Sequence, residues 1–146
     1  DLLARVAARG LRTALEVDVA PGRLGVDETE LLYRVAQEGL RNVVQHAEAT
    51  AVEIRVLRED GTLVMTVHDD GPGIDQEKLE AVFEPFYRVE SSRGRATGGH
   101  GLGLTVARSI ARAHGGDVVL FNRLPRGLEA VVTLPAAGHS TELRRA

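Results

Sequence analysis

The segment 51–69 limits the fold more than any other part of the chain. Residues 51–58 and 62–69 alternate apolar and polar side chains on either side of Asp60-Gly61. Alternation gives each strand one face for a core, and Asp-Gly supplies the positive φ angles that a two-residue hairpin turn demands. A hairpin with one buried face needs a second layer over it. Helical patterns supply that layer. Leu31, Leu32, Val35, Ala36, Gly39, Leu40, Val43 and Val44 recur at helical spacing up to about Ala47. Asp27, with Glu30 three residues on, is the expected N-cap and capping box. Residues 101–114 read as a helix ended by Gly115-Gly116, 76–82 as helical, and 2–7 as a short helix. Further strands are expected at 14–19, closed by Pro21-Gly22, at 118–121 and at 130–134. Strict βαβ alternation is missing. The expected fold is therefore α+β, a two-layer α/β sandwich with a mixed sheet of about five strands covered on one face by about three helices. One domain is expected over residues 1–135, followed by a disordered tail over 136–146.

Composition narrows the function. The 146 residues suit a single domain. Hydrophobic residues make up 43% but aromatics only 3%, so aliphatic side chains must build the core. No run reaches the roughly 18–20 apolar residues of a membrane span, and no signal peptide is visible. The absence of Cys excludes disulfides and thiolate chemistry and fits a reducing compartment. A net charge of −3, with acids and bases interspersed, lacks the basic footprint of a nucleic-acid binder. The start at Asp1 in place of Met reads as an excised piece. Many of the sixteen Gly fall between Gly71 and Gly116, where a close-approaching backbone would use them.

Four segments carry chemistry. Glu38, Asn42 and His46 stand four residues apart and share one helix face. A carboxamide and a carboxylate there suit Mg²⁺, which prefers oxygen ligands; the alternative is a solvated face. Residues 67–74, Val-His-Asp-Asp-Gly-Pro-Gly-Ile, close a hairpin strand. Asp69 can accept from an amino group, and Gly71 and Gly73 admit a flat ligand; the alternative is an ordinary Asp-Gly and Pro-Gly turn. Residues 98–104, Gly-Gly-His-Gly-Leu-Gly-Leu, run into a helix whose free N–H groups suit phosphates; the alternative is a flexible linker. It is neither a Walker A loop nor a dinucleotide fingerprint. Residues 83–88, Phe-Glu-Pro-Phe-Tyr-Arg, hold three of the five aromatics and read as an apolar plug rooting a mobile loop over 88–100.

In this order the four segments resemble the N, G1, F and G2 boxes of the ATP-binding catalytic domain of sensor histidine kinases, in the superfamily shared with gyrase, the MutL repair proteins and the heat-shock-90 chaperones (HATPase_c, GHKL). The resemblance covers about residues 1–135 and implies ATP and Mg²⁺ as ligands. It implies that Asn42 holds Mg²⁺ against the phosphates, that Glu38 polarises or orients, and that His46 lies near the phosphates. Asp69 is then the acceptor for the adenine amino group, with Gly73 allowing the ring's approach. Gly101 and Gly103 offer backbone N–H groups to the phosphates, and Arg88, Arg93 and Arg95 are lid cations. Gly71, Ile74, Phe86, Gly99, Leu102 and Leu104 join the nucleotide-contacting set. The implied activity is transfer of the γ-phosphate to a histidine on a dimerisation helix absent from this chain, and the implied downstream partner is a response regulator. The isolated domain is expected to be monomeric and cytoplasmic, with a parent that can be membrane-anchored. It is expected to hydrolyse ATP slowly and not to phosphorylate itself.

Two other readings share the fold: an anti-sigma-factor-type serine kinase, against which the Phe83–Arg88 segment argues, and a non-catalytic nucleotide-binding module, against which Asn42, Asp69 and the glycines argue. The sequence also departs from the family pattern. Residues 33–42 resemble kinases that partner LuxR-type regulators, which usually have a short lid and no F box. The late Gly-Thr pair is Gly127-Leu128, so a Thr hydroxyl is missing. His139, followed by Ser-Thr-Glu-Leu-Arg, echoes an acceptor motif but fails on spacing and on position after the domain.

Overall fold

The structure is a computed structural model, and it describes residues 2–19, 24–46, 48–84 and 103–135. The expected hairpin is present. Strand β2 (Ala51–Glu59) pairs antiparallel with β3 (Thr62–Asp69), with Glu59 opposite Thr62. Asp60 and Gly61 both take positive φ, 52° and 80°, as the twist of a two-residue hairpin requires. Strand β1 (Arg12–Asp18) adds parallel to β2; β4 (Asp117–Asn122) and β5 (Leu128–Pro135) form a second antiparallel pair, with β5 beside β3. The sheet order is β1-β2-β3-β5-β4.

Three helices, α1 (Leu2–Ala7), α2 (Val26–His46) and α3 (Gly103–Ala113), form the second layer. The buried strand residues alternate as the pleat dictates: Val52, Ile54 and Val56; Leu63, Met65 and Val67; Val118 and Leu120; Val132 and Leu134. They meet Leu31, Leu32, Val35, Leu40 and Val43 of α2 and Ala107 and Ala111 of α3 in one core. Helix α1 reaches the β1 edge, but its cover there is partial. Leu15 and Val17 are in register with the buried Ile54 and Val56, yet remain 56% and 54% exposed.

Two expectations at helix boundaries are corrected. The N-cap of α2 is Gly25, not Asp27. Glu28 at the third helical position accepts the Gly25 N–H at 2.9 Å, the returning half of a capping box displaced two residues upstream. The segment 76–82 is not one helix but two single 3₁₀ turns, Gln76–Lys78 and Ala81–Phe83. Leu79 and Val82 are both buried; their spacing of three suits the tighter 3₁₀ turn as well as an α-helix. At the end of α3 the expected glycine stop holds: the Gly115 and Gly116 N–H groups donate to Arg112 and Ala111 carbonyls at 3.0 and 2.8 Å, with Gly115 at φ 87°, a Schellman closure.

Candidate functional site

Strand β3 ends at the sequence feature that promised most. Asp69 shares the face of Leu63, Met65 and Val67 and is 4% exposed. Helix α2 presses on this strand at Gly39, where a Cβ would stand 3.4 Å from Val67. Gly39 lies between Glu38 and Asn42 in the chain, so this contact sets their part of α2 over β3. Asp69 follows Val67 by two residues on the same face, about 7 Å further along the strand.

The Asp69 carboxylate accepts the Gly71 N–H at 2.7 Å through Oδ1. Burial pushes its pKa above the usual carboxylate value; amide donation from Gly71 and Leu128 and the neighbouring His68 oppose the shift without cancelling it. Asp70 points elsewhere and behaves in the opposite way. Its Oδ1 accepts the Thr50 and Ala51 N–H groups at 2.7 and 3.0 Å, and its Oδ2 accepts the Thr50 hydroxyl at 2.5 Å. These donors, the Thr50 hydroxyl first, hold its pKa down at about 2. Asp70 therefore ties down the start of β2, while Asp69 remains a buried acceptor.

The turn after Asp70 leans on the β4–β5 connection. Gly73 has φ 81°, and a Cβ there would collide with Asn122 Oδ1. Asn122 Oδ1 accepts the Ile74 N–H at 2.9 Å, and Nδ2 donates to the Ile74 carbonyl at 2.5 Å. Arg126 Nε donates to the Asp70 carbonyl at 3.0 Å. Gly127, at φ 126°, leaves room for the Asp69 carbonyl, which a Cβ would strike.

A second corner anchors α3. Phe83 is buried, and its carbonyl accepts the Thr105 hydroxyl. Arg108 lies 4.1 Å above the Phe83 ring, forks onto Glu80 with two bonds of 3.0 Å, and reaches Asp117 at 3.0 Å. Arg112 also bonds Asp117, at 2.9 Å. These arginines, Arg112 first, hold the Asp117 pKa at about 2. The aromatic segment and the head of α3 are thus joined at their described ends.

Of the residues singled out in the sequence, the structure brings Asp69, Gly71, Gly73 and Ile74 into one corner. Glu38 and Asn42 are half-buried on α2, and Glu38 pairs with Arg41 at 3.4 Å. Gly103 opens α3, and Leu104 packs against the core. Phe86, Arg88, Arg93, Arg95, Gly99, Gly101, Leu102, His139 and the side chain of His46 lie outside the described residues. Asn122, Arg126, Thr105 and Arg108 escaped sequence reading; only the Arg pair at i, i+4 facing Asp117 just past Gly-Gly left a local trace. A cavity of about 280 Å³ opens near Arg12, Ala14, Glu53 and His68. Asp69 and Asp70 also line it, but none of Glu38, Asn42, Gly71, Gly73 or Leu104 does; the Asp69 side chain shares the helix-facing side of β3 with Met65 and Val67.

The donor set fits an adenine nucleotide. A buried carboxylate faces the helical layer beside Gly73, whose Cβ position is filled and whose φ is positive, and the helix carrying Asn42 lies over the same strand. Among the described residues no group of three or more His, Cys, Asp or Glu could hold a metal ion. Fold and site together define an α/β sandwich ATPase domain. The family model described as "Histidine kinase-, DNA gyrase B-, and HSP90-like ATPase" matches residues 27–138, and the chain belongs to that family. It is similar to the sensor histidine kinase GtrS of Pseudomonas aeruginosa, 43% identical over 99 residues, which are 66% of this chain and 20% of GtrS. The chain thus spans about a fifth of that relative's length. The catalytic domain of histidine kinase ThkA superposes with a TM-score of 0.74 at 24% identity, over 92% of this chain and 86% of that one. Full-length ShkA in complex with AMPPNP gives 0.73 at 27% identity, over 90% of this chain and 27% of that one.

Proposed function

We propose that this chain is the phosphoryl-donor domain of a two-component sensor histidine kinase, spanning residues 1–135 and followed by a tail at 136–146. The observation that carries the reading is Asp69: a carboxylate buried at a strand end, protonated more readily than usual, beside Gly71 and Gly73. Such a group, once ionised, accepts a hydrogen bond from an exocyclic amine far better than solvent-exposed acids do. Asp69 therefore reads the adenine edge, while Gly73 and Ile74 give the ring its floor. Asn42 would hold Mg²⁺, Glu38 would orient, and His46 and Arg88 would be the cations for the phosphates. Phe86, Gly99, Gly101 and Leu102 belong to the same contact set, with Gly103 and Leu104 at the head of α3 offering N–H groups to the anion. Bound Mg²⁺ neutralises charge on the phosphates during transfer. The protein's part is to position and exclude water, since phosphoryl transfer asks little covalent help of it. The acceptor is a histidine on the dimerisation and phosphotransfer domain, and a response regulator takes the phosphate onward. The domain works in the cytoplasm and as a monomer when isolated.

The test mixes the chain, Mg²⁺ and γ-labelled ATP with a separate dimerisation-helix domain. Acid-labile, base-stable label on a histidine is expected. Acid-stable label on serine points to the anti-sigma-factor class, and tight binding with no transfer to a competent acceptor points to a nucleotide sensor.

A further inference from the structure

We propose that Asn122 is a positioning residue for nucleotide binding: its carboxamide fixes the Ile74 backbone at both its N–H and its carbonyl and so sets the floor beside Asp69. The inference rests on reading Asp69 and Gly73 as base-binding groups.

Residues 72–75 belong to no helix or strand, so no ladder holds them. Asn122, the last residue of β4, supplies both halves of one rung. Its Oδ1 accepts from the Ile74 N–H and its Nδ2 donates to the Ile74 carbonyl. The carboxamide thereby acts as a one-residue strand partner for a segment 48 positions away in the chain. The fit is mutual. Gly73 stands so close to Oδ1 that any side chain at 73 would displace the carboxamide, and the Gly127 carbonyl lies 3.2 Å from the same point. A residue at φ 81° with its Cβ space occupied by a hydrogen-bonding side chain has one available conformation. Ile74, packed against the core, transmits that constraint to the surface on which a flat base would rest.

The chemistry requires a donor and an acceptor on one short planar group. Asp has the same shape, but presents two acceptors and turns an oxygen on the Ile74 carbonyl. Ser has the wrong reach for both bonds at once. Asn122→Asp is therefore a near-isosteric variant that removes half of the rung.

The experiment measures affinity of the full 146-residue chain for Mg·ATP by calorimetry and for adenosine by NMR titration, with Mg·tripolyphosphate as the phosphate-end control. Hydrogen exchange of the Ile74 amide is followed in parallel. Asn122→Ala, which loses both bonds, and Asn122→Asp, which loses one and sets an oxygen against the Ile74 carbonyl, are each expected to weaken ATP and adenosine about tenfold. Tripolyphosphate binding stays at the wild-type value, and the Ile74 amide exchanges faster. ATP affinity within twofold of wild type in the folded Asp variant overturns the inference, as does equal weakening of tripolyphosphate, which marks general loosening. Asp69→Asn, run beside them, separates the two levels. Loss of ATP binding in Asp69→Asn but not in the Asn122 variants removes only the positioning role; unchanged binding in Asp69→Asn removes the base-binding reading itself.

Discussion

Asp69 and Asp117 stand at opposite ends of the sheet and are treated in opposite ways. Strand β4 runs from Asp117 to Asn122, and the Asn122 row leads through Leu128 on β5 to Asp69 on β3. Asp117 is surrounded by Arg108 and Arg112, which with Glu80 and the Phe83 ring lock α3 to the strands. Asp69 is buried with amide donors and, among the described residues, no Lys or Arg ion pair, and burial raises its pKa. A fully paired acid lowers the energy of the native state. A buried acid without a cation costs stability at neutral pH, and such strain is expected where a ligand completes the bonding. One corner is built to hold the fold and the other to wait for a partner.

Three substitutions and one pH series test this contrast. The largest effect on stability is expected at the structural corner. In Gly116→Ala the new Cβ strikes the Thr133 carbonyl where β4 meets β5, and a loss of about 3 kcal/mol or more should appear in urea unfolding. At the ligand corner, Asp69→Asn should weaken ATP about 10- to 100-fold, the worth of a hydrogen bond to a charged group. Its melting temperature at neutral pH should be no lower than wild type. Arg108→Ala removes the fork to Glu80, the bond to Asp117 and the cover over Phe83. It should cost about 1–2 kcal/mol in unfolding and shift ATP affinity only a few-fold.

The smallest effects lie in pH dependence, and they run in opposite directions. The Asp117 pKa is lowered to about 2, so its contribution to stability is present above its unfolded value of about 3.9 and lost as pH falls toward 2. Asp69 has its pKa raised, so the native state is favoured below the unfolded value, and that advantage is lost as pH rises through the folded one. The melting advantage of Asp69→Asn over wild type should therefore shrink as pH is lowered from 7 toward 4. A parallel pair of melting curves across that range would contradict the assignment of Asp69 as a strained acid.

Local features of this molecule were legible in the sequence, and long-range ones were not. The Asp60-Gly61 hairpin, the 3.6-residue period of α2 and the Gly115-Gly116 stop each depend on a few neighbouring residues, and all three stand where expected. The Asp69 corner was legible because its glycines sit beside the acid. Asn122, 48 residues from Ile74, carries no sequence mark of its bond, since an Asn before a turn looks like any other turn residue. Arg108 looked like a solvated helix charge until Glu80, Phe83 and Asp117 gathered around it. The N-cap of α2 stands two residues upstream, where Glu28 accepts the Gly25 N–H and also gains burial and a contact to Arg58 at 3.8 Å. The strand expected at 14–19 stands at Arg12–Asp18, with Leu15 and Val17 exposed.

The central claim is that Asp69 recognises an exocyclic amine. Inosine triphosphate differs from ATP in carrying a ring carbonyl where ATP has its amino group, with the same ribose and phosphates. Calorimetry of the chain with each nucleotide and Mg²⁺ should show ATP favoured at least about tenfold, because the inosine oxygen would face the carboxylate, and Asp69→Asn should remove most of that preference. Equal affinities for the two nucleotides in the wild-type chain would contradict the account.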